Sequence, residues 1–386
     1  MRKISAAVIA VTAALAIAAC SSSGSTSSSS NTGSNANASA TAGNGSAGGA
    51  NIAAAKAYQD QFLSSPTSIG ISTPLKAKPA TGKLIVGLDS GLGSAVVLAK
   101  YWAQAAAALG WKYKDLNSGG TPASQQAAME SAIQLNPAGI VTSGIPNSTL
   151  TTQLALATSK GIWVNSSADT SSPVGAMFDT SIANPAQLAQ WGKMVAAYVV
   201  VQSNGKAVIQ DFSLPVFPIL LDFDTAFIAA LKVWCPACKV TQVPQTAAAI
   251  GTTTPQAVVS AVTRAPSTNW LIFDLGDLAT GVSAALAAAG LHGLSIGGLT
   301  ADTPNIAGLK SGKENVWTAY SLPIVAYRQM DSMARKFEGM PTLIAALPTQ
   351  LMTQQNVNSL VEDPQGNYVG VANFSSQFLT LWHVSG

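Results

Sequence analysis

The sequence predicts an α/β protein of two lobes, each built around a parallel β-sheet. Short apolar strands alternate with alanine-rich amphipathic helices through most of residues 83–352, which is typical of parallel strands joined by helices. The pattern pauses at a bridging segment, residues 176–181, and then restarts, which gives two similar halves of about 130 residues. Of the 386 residues, the roughly 335 that follow a low-complexity N-terminal region are too many for one ordinary compact core. We therefore expect a cleft between two lobes.

The predicted strands of the first half are short and apolar and lead into small or polar residues. They are residues 83–89, 111–116, 139–143 and 161–165. Helices are expected between them, ending near residue 109 and spanning 122–135 and 148–159.

The second half repeats this order. Its predicted strands are residues 207–211, 240–243, 270–274, 294–297 and 316–321. Its predicted helices are residues 185–202, 219–233, 255–264, 279–289 and 325–338. Two sheets of similar construction follow from this repetition.

Polar residues stand where the predicted strands of the first half end. Ligands of open parallel sheets bind outside the carboxyl ends of the strands, so these residues are candidates for a binding site. They are Asp89, Ser90, Ser143, Asn165 and Ser166.

The N-terminus predicts export and lipid attachment. Arg2 and Lys3 precede an apolar run, residues 4–19, that is too short to span a bilayer as a mature helix. Ile17-Ala18-Ala19-Cys20 resembles the bacterial lipobox, in which cleavage leaves a lipid-carrying cysteine as the new N-terminus. We therefore expect a signal peptide at 1–19, lipidation of Cys20 and an extracytoplasmic, membrane-anchored protein. An ordinary secretory signal with an incidental cysteine is the alternative.

Residues 20–50 are almost entirely Ser, Gly, Asn, Ala and Thr, and this composition predicts a disordered linker behind the lipid. Residues 51–82 form an N-terminal extension that begins with a helical pattern and continues as a Pro-containing stretch. The linker would hold the folded part clear of the membrane surface.

Cys235 and Cys238 form a close pair between a predicted helix and a predicted strand. In an exported protein such a pair favours a structural disulfide. Free thiols remain an alternative, as does a redox site like that of thioredoxin. The redox interpretation is disfavoured because it needs the first cysteine at the start of a helix, where the helix dipole lowers the thiol pKa.

Composition and charge exclude several function classes. Only 10% of residues are charged and the net charge is +3, without a basic run, so no nucleic-acid partner is expected. His292 and His383 belong to no catalytic or metal-binding spacing, and the glycine-rich turn 87–93 lacks a nucleotide-binding pattern. We predict no enzyme activity, no metal and no cofactor.

Arginine is scarce, and none of its residues lies at the carboxyl end of a predicted strand. After Arg2, it occurs at Arg264, Arg328 and Arg335, all in predicted helices. Because a bidentate arginine commonly holds a carboxylate or phosphate, its absence from the predicted cleft favours a neutral ligand.

Several segments, in order, resemble the type I periplasmic binding proteins, the ribose-binding-like solute receptors of ABC importers. The resemblance covers residues 83–352 and is most specific at 296–313, 317–323 and 325–338. Residues 136–141, 160–164 and 178–180 add weaker matches.

The resemblance implies two lobes that close on a ligand by a hinge of three chain segments. Residues 83–179 plus 322–350 would form lobe 1, and residues 180–321 plus 351–386 would form lobe 2 with the C-terminal tail. A monomer that presents its closed form to an ABC permease is expected.

Alignment with the family's sugar receptors changes the expected site. The Asn and aromatics that follow their first strand become Asp89-Ser90, their Asp-Arg pair becomes Ala168-Asp169, and their hinge Gln becomes Ser321. Asp179 and Asp277 keep matching polar positions. The predicted ligand-binding residues are Asp89, Ser90, Ser143, Asn165, Asp169, Asp179, Phe212, Phe217, Asp277, Thr300, Tyr320 and Ser321.

The sequence thus predicts a lipid-anchored receptor that delivers a small neutral molecule, sugar-like or polyol-like, to an ABC importer. A more apolar or aromatic ligand is the first alternative, since the carbohydrate-binding residues of the family are replaced. A ligand-sensing partner of a membrane signalling protein is the second.

Overall fold

A computed structural model describes residues 49–384 of the chain. The predicted signal peptide, Cys20 and nearly all of the linker lie outside these residues. Within 49–384, none of the helices has the length and apolar character needed to cross a membrane.

The helices of the described part follow the predicted alternation with strands. They are α1 Ile52–Gln59, α2 Gly93–Ala108, α3 Pro122–Gln134, α4 Thr151–Ser159, α5 Pro185–Gln202, α6 Leu220–Trp234, α7 Thr254–Arg264, α8 Val282–Ala288, α9 Thr303–Lys310, α10 Leu322–Phe337 and α11 Phe374–Leu381. Several begin at a polar cap. Thr121 and Ser124 form a capping box on α3, and Asn184 caps α5, because such side chains accept from otherwise unpaired amides.

The first lobe contains a five-stranded parallel sheet. Its strands are β1 Leu84–Asp89, β2 Lys112–Asn117, β3 Gly139–Ser143, β4 Trp163–Ser167 and β5 Met177–Asp179. Their spatial order is β2-β1-β3-β4-β5. The connections from β1 to β2 and from β2 to β3 leave in opposite directions, so the crevice of an open α/β sheet falls at the carboxyl ends of β1 and β3.

The second lobe contains a six-stranded sheet. Its strands are β6 Val208–Phe212, β7 Lys239–Gln242, β8 Trp270–Phe273, β9 Ser295–Gly298, β10 Val316–Thr318 and β11 Leu351–Thr353. Their order is β11-β10-β9-β8-β6-β7, and all neighbouring pairs are parallel except β10 with β11. The predicted fold class of two α/β lobes with parallel sheets is confirmed.

Close helix packing holds the second lobe together. Helix α5 lies against α6 where a Cβ on Gly192 would stand 2.3 Å from the backbone oxygen of Phe223. Only glycine permits this approach of the two backbones.

As expected, three chain segments join the lobes: residues 180–184, 319–321 and 338–350. This follows from the packing of two helices, because α5 lies in the second lobe and α10 lies on α2 and β4 of the first. The terminal segments add two more crossings. Helix α1 packs on α5, and residues 63–83 lead from it to β1. Residues 354–373 lead from β11 to α11, which packs on α10.

The C-terminal tail is therefore divided between the lobes. The predicted boundary assigned residues 351–386 to lobe 2, and β11 does lie in the second sheet. Helix α11 instead lies on the first lobe, because Tyr327 of α10 packs against Phe374, Phe378 and Trp382. Burial of these aromatic side chains against one another stabilises α11 on the first lobe.

Candidate functional site

A cavity of about 110 Å³ lies between the lobes at the carboxyl ends of the strands. We call it the inner cavity. Its wall is mostly apolar and comes from both lobes, with Trp102, Leu188, Trp191, Phe217, Leu275 and Leu299 among the residues that line it. Six predicted ligand-binding residues also line it: Asp89, Ser90, Ser143, Phe217, Thr300 and Tyr320.

A second cavity of about 390 Å³ adjoins the first. This outer cavity shares Tyr320 and Leu322 with the inner one, and its remaining wall is more polar. Asp277, Asp302, Thr303 and Asn367 line it. A ligand that filled both cavities would meet apolar side chains at one end and oxygen atoms at the other.

Asp89 stands at the end of β1, where its backbone and side chain are both fixed. Its Oδ1 accepts a 2.6 Å hydrogen bond from the Gly91 amide, and the Ser118 hydroxyl donates to its carbonyl oxygen at 2.8 Å. Gly91 has a φ of +76°, a conformation that glycine adopts without strain, so the chain can turn sharply here. Asp89 lines the inner cavity at this turn.

Tyr320 lies where the two cavities meet. Its ring contacts Trp191 edge to face, with centroids 5.3 Å apart. Burial raises the pKa of the phenol above its ordinary value, so the group stays neutral at physiological pH. Among the described residues, the hydroxyl makes no well-formed hydrogen bond although it is shielded from water, and the hydroxyls of Ser143 and Ser167 lie near it. A buried hydroxyl without a partner is costly, and a polar group on a ligand would satisfy it.

Asp277 and Asp302 place two carboxyl groups beside the outer cavity. Burial, and then the nearby charge of Asp277, raise the pKa of Asp302 well above its usual range. Asp302 begins α9, and its backbone amide donates to the side chain of Asn305 at 2.9 Å. Asp277 belongs to the second lobe, yet it accepts hydrogen bonds from the Gly93 amide at 3.1 Å and the Ser94 hydroxyl at 2.8 Å.

The ionisable carboxyl groups that line the two cavities belong to Asp89, Asp277 and Asp302. Over residues 49–384, no Lys, Arg or His side chain lines either the inner or the outer cavity. An anionic ligand would find no cation to pair with, whereas a neutral ligand pays no such penalty.

Asn165 and Asp179 lie outside both cavities and bond to each other. The Asn165 amide donates to Asp179 at 3.1 Å, and Asp179 also accepts from the amide and hydroxyl of Ser181 and from Ser332. Their position beside the first crossing, residues 180–184, gives them a part in fixing the hinge.

Asp169, Phe212 and Ser321 also lie outside the two cavities. Asp169 accepts from the Ser171 amide at 2.8 Å and, with Asp179, lines a separate hollow beside the first crossing. Phe212 is fully buried and stacks on Phe273 at 5.0 Å. Ser321 accepts from the Ile324 amide and so caps α10.

Several residues that line the two cavities were not predicted from the sequence. Leu188 and Trp191 lie on α5, where an apolar helical pattern looks the same whether it faces a core or a ligand. Asp302 and Asn367 have no signal of their own, because Asp302 reads as a helix cap and Asn367 as part of an irregular tail. Leu299 precedes the predicted Thr300, and both line the inner cavity.

Cys235 and Cys238 form a disulfide with an S–S distance of 2.01 Å, as predicted. The pair closes the turn between α6 and β7, far along the chain from the residues of either cavity. Elsewhere, the described part of the chain holds no group of three His, Cys, Asp or Glu side chains placed to bind a metal ion.

Comparison with known proteins supports the two-lobed interpretation. The family model described as "periplasmic binding protein domain" matches residues 95–340. No curated protein matches the chain.

Solved structures with the same fold come from several bacteria. A sugar ABC transporter protein from Yersinia enterocolitica is 17% identical, with a TM-score of 0.67, and the match covers 80% of this chain and 96% of that one. A myo-inositol binding protein from Caulobacter, solved with myo-inositol, is 18% identical, with a TM-score of 0.63 and coverage of 74% and 97%. An ABC sugar transporter subunit from Rhodobacter sphaeroides is 16% identical, with a TM-score of 0.63 and coverage of 72% and 99%. At these identities the likeness establishes the fold.

Proposed function

The chain belongs to the periplasmic binding protein domain family, and on that premise we propose that it is a receptor that holds a small neutral molecule between its lobes. Members of this family act outside the cytoplasm and work with ABC transporters. The observation that carries the proposal is the pair of adjoining cavities at the carboxyl ends of both sheets, lined by residues of both lobes. Binding there would hold the lobes together without any chemical step.

A sugar-like or polyol-like ligand is our first candidate. The structures with the same fold include a protein bound to myo-inositol and one bound to allitol, both uncharged polyols. Asp89, Thr300 and Tyr320 would supply oxygen atoms to hydroxyl groups of such a ligand. Within residues 49–384, no cationic side chain lines either cavity, which disfavours an anionic ligand.

A more apolar or aromatic ligand is the second candidate, and the inner cavity favours it. Two indole rings, those of Trp102 and Trp191, and the Phe217 ring stand among leucine side chains there. Pockets for apolar ligands are lined in this way, with a few polar groups that fix orientation.

We further propose that the receptor is a monomer anchored through lipidated Cys20 and delivers its ligand to an ABC importer. The supporting observations are the lipobox-like sequence and the family of the folded part. A ligand-sensing role beside a membrane signalling protein is the alternative. Mass analysis of the N-terminal peptide from cell membranes tests the anchor, and ligand uptake in cells lacking the protein separates import from sensing.

A thermal-shift screen tests the receptor function directly. The purified protein is heated with neutral sugars, polyols, aromatic compounds, and anionic sugars as matched charged controls. A ligand at about one hundred times its Kd should stabilise the fold by about 2.7 kcal/mol. Stabilisation by polyols supports the first candidate and stabilisation by aromatics alone supports the second. If anionic sugars bind best, or no compound binds, the proposal is overturned.

A further inference from the structure

Helix α2 begins without a capping side chain of its own. Leu92 occupies the N-cap position with φ −68° and ψ 157°, the extended geometry typical of that position, but its side chain accepts no hydrogen bond. The first turn of α2 also contains no acidic residue. Its first amide groups therefore lack the local acceptor that Ser, Thr, Asp or Asn would supply.

The missing cap comes from the other lobe. Asp277 follows β8 in the second lobe, and its two carboxylate oxygens contact the first turn of α2. Oδ1 lies 3.1 Å from the Gly93 nitrogen and Oδ2 lies 2.8 Å from the Ser94 hydroxyl. A carboxylate at this position also interacts favourably with the positive end of the helix dipole.

Asp277 is held rigidly in place for this contact. A Cβ on the preceding Gly276 would lie 2.3 Å from the Thr300 oxygen and 2.4 Å from Oδ1 of Asn305, so the turn is packed against both residues. The Gly276 amide donates to the Thr300 oxygen, and Asn305 in turn contacts buried Glu314. The carboxylate is only 7% exposed.

Two other approaches across the cleft involve apolar side chains. Cβ positions on Gly144 and Gly120 of the first lobe stand 3.6 Å from Phe217 and 3.4 Å from Ala247 of the second. Each glycine therefore lies near an apolar side chain of the other lobe, and dispersion between such groups favours no particular orientation.

We propose that Asp277 is a positioning residue that locks the two lobes in the closed arrangement by capping α2 across the cleft. Opening the lobes uncaps the helix and exposes the carboxylate, and closing restores both interactions together. The residue thereby sets how much of the protein is closed before a ligand arrives, which in turn sets the ligand's apparent affinity. This inference rests on the contact between the lobes and holds whatever the ligand is.

The test uses the full-length protein without ligand. Spin labels are placed at Lys112 on β2 and Lys239 on β7, two exposed edge positions in different lobes. Each lysine is replaced by a ketone-bearing residue that carries the label, so the native cysteines stay unmodified. Pulsed electron resonance then gives the distribution of distances between the lobes.

Asp277→Ala should raise the ratio of open to closed protein by about five- to tenfold, the factor a typical N-cap contributes. Ser94→Ala, which removes one of the two contacts, should give a smaller shift. Asp277→Asn should give a smaller shift than Asp277→Ala, because an asparagine oxygen can still accept from the Gly93 amide although the charge and the second acceptor oxygen are lost. Asp222→Ala, a carboxylate of α6 that makes no contact across the cleft, is the matched control.

Leu92→Ser provides a second test. It distinguishes a capping role of Asp277 from a role in ligand contact or in folding alone. A serine at this N-cap gives α2 its own acceptor, so the lobes should open more often although Asp277 is unchanged. Distance distributions that remain the same in Asp277→Ala and Leu92→Ser would overturn the proposal. If Asp277→Ala does not fold, the distance distributions of Ser94→Ala and Leu92→Ser test the proposal, and it is overturned if both match the wild type.

Discussion

The phenol of Tyr101 donates a 2.7 Å hydrogen bond to Asp363 and thereby joins α2 of the first lobe to the segment that follows β11. Asp363 also accepts from Asn367 and from the amide of Gln365, and Lys100 approaches it at 3.4 Å. Burial by itself would raise the pKa of this carboxyl, but the hydrogen bonds outweigh burial and lower the pKa to about 2.

The fold should therefore lose stability in acid as Asp363 is protonated. Its folded-state pKa is below the unfolded value, so its contribution is present above about pH 4 and is lost as the pH falls towards 2. Thermal unfolding at pH 5 and pH 3 measures this loss. Asp363→Asn should show a smaller difference between the two pH values, while Glu362→Gln, which alters the adjacent exposed pair with Lys310, should behave as the wild type. An unchanged difference in Asp363→Asn would contradict the assignment.

The opposite pH dependence is expected from a group of buried carboxyls in the second lobe. Asp211 lies on β6, Asp274 directly follows β8, and Asp224 lies on α6; none is more than 1% exposed. Burial, reinforced by Asp224, raises the pKa of Asp211 and of Asp274, and burial raises that of Asp224 to about 7. Neither oxygen of Asp211 has a hydrogen-bond partner among the described residues.

Because these carboxyls bind protons more tightly when folded, stability should fall as the pH rises from about 4 towards 7 and above. Each carboxyl can contribute at most about 1.4 kcal/mol per pH unit within its window. Urea unfolding at pH 5 and pH 8 measures the loss. Asp211→Asn should reduce it, whereas Asp222→Asn on the half-exposed face of α6 should leave most of it in place. A wild-type protein equally stable at both pH values would contradict this prediction.

Gly192→Ala should destabilise the second lobe. The added methyl group would stand 2.3 Å from the Phe223 oxygen, so α5 and α6 would have to move apart. Overpacking of this kind costs about 1–3 kcal/mol, which urea unfolding resolves. Gly290→Asn is the control, because nothing lies within 4 Å of its Cβ position and asparagine tolerates a φ of +70°. Equal stability of the two variants would contradict the close packing.

Loss of the Cys235–Cys238 disulfide should lower stability modestly. The bond closes a loop with a sequence separation of three, and the entropy of so small a loop corresponds to about 2 kcal/mol. Cys235→Ser with Cys238→Ser, compared with the wild type in oxidising and reducing buffer, measures it by urea unfolding. Reducing agent should affect the wild type alone. A reductant effect of equal size on the double variant would rule out this origin.

Phe217→Ala should weaken binding of the ligand found by thermal shift. The ring lines the inner cavity from the second lobe, near Gly144 of the first, so its loss removes apolar contacts to the ligand. Loss of a buried aromatic contact predicts a Kd increase of about tenfold or more, measured by calorimetry. Phe62→Ala, in the segment after α1, removes an equal ring away from both cavities and should leave the Kd unchanged.

The sequence predicted the parts of this protein that depend on local periodicity. Strands ending at Asp89 and Ser143 follow from apolar runs that stop at polar residues, and the rule for parallel sheets correctly places both at the inner cavity. The same rule selected Asn165, which lies within β4 and bonds to Asp179 instead. The predicted strand ended at residue 165, whereas β4 continues to Ser167, so Asn165 lies two residues before the carboxyl end that faces the cleft.

Contacts between distant segments could not be predicted in the same way. Trp191 lines the inner cavity from a helix whose apolar pattern also fits a core, and Asn367 reaches the outer cavity from a tail without regular structure. The contact of Asp277 with Gly93 joins residues 184 positions apart. Leu92 at the N-cap of α2 supplies no side-chain acceptor, but Leu150 before α4 and Ile219 before α6 supply none either, so this local feature does not point to Asp277.

The number of chain segments between the lobes has a mechanical consequence. Two bodies joined by a few neighbouring segments can bend about them and also twist. Here residues 63–83 and 354–373 add attachments to the three central ones. Attachments at separate points resist torsion more than bending, so we expect opening and closing to follow a single axis. The lobes would then return to the same alignment each time they close. The contact of the Asp277 carboxylate with the first turn of α2 requires this, because it forms only in one orientation.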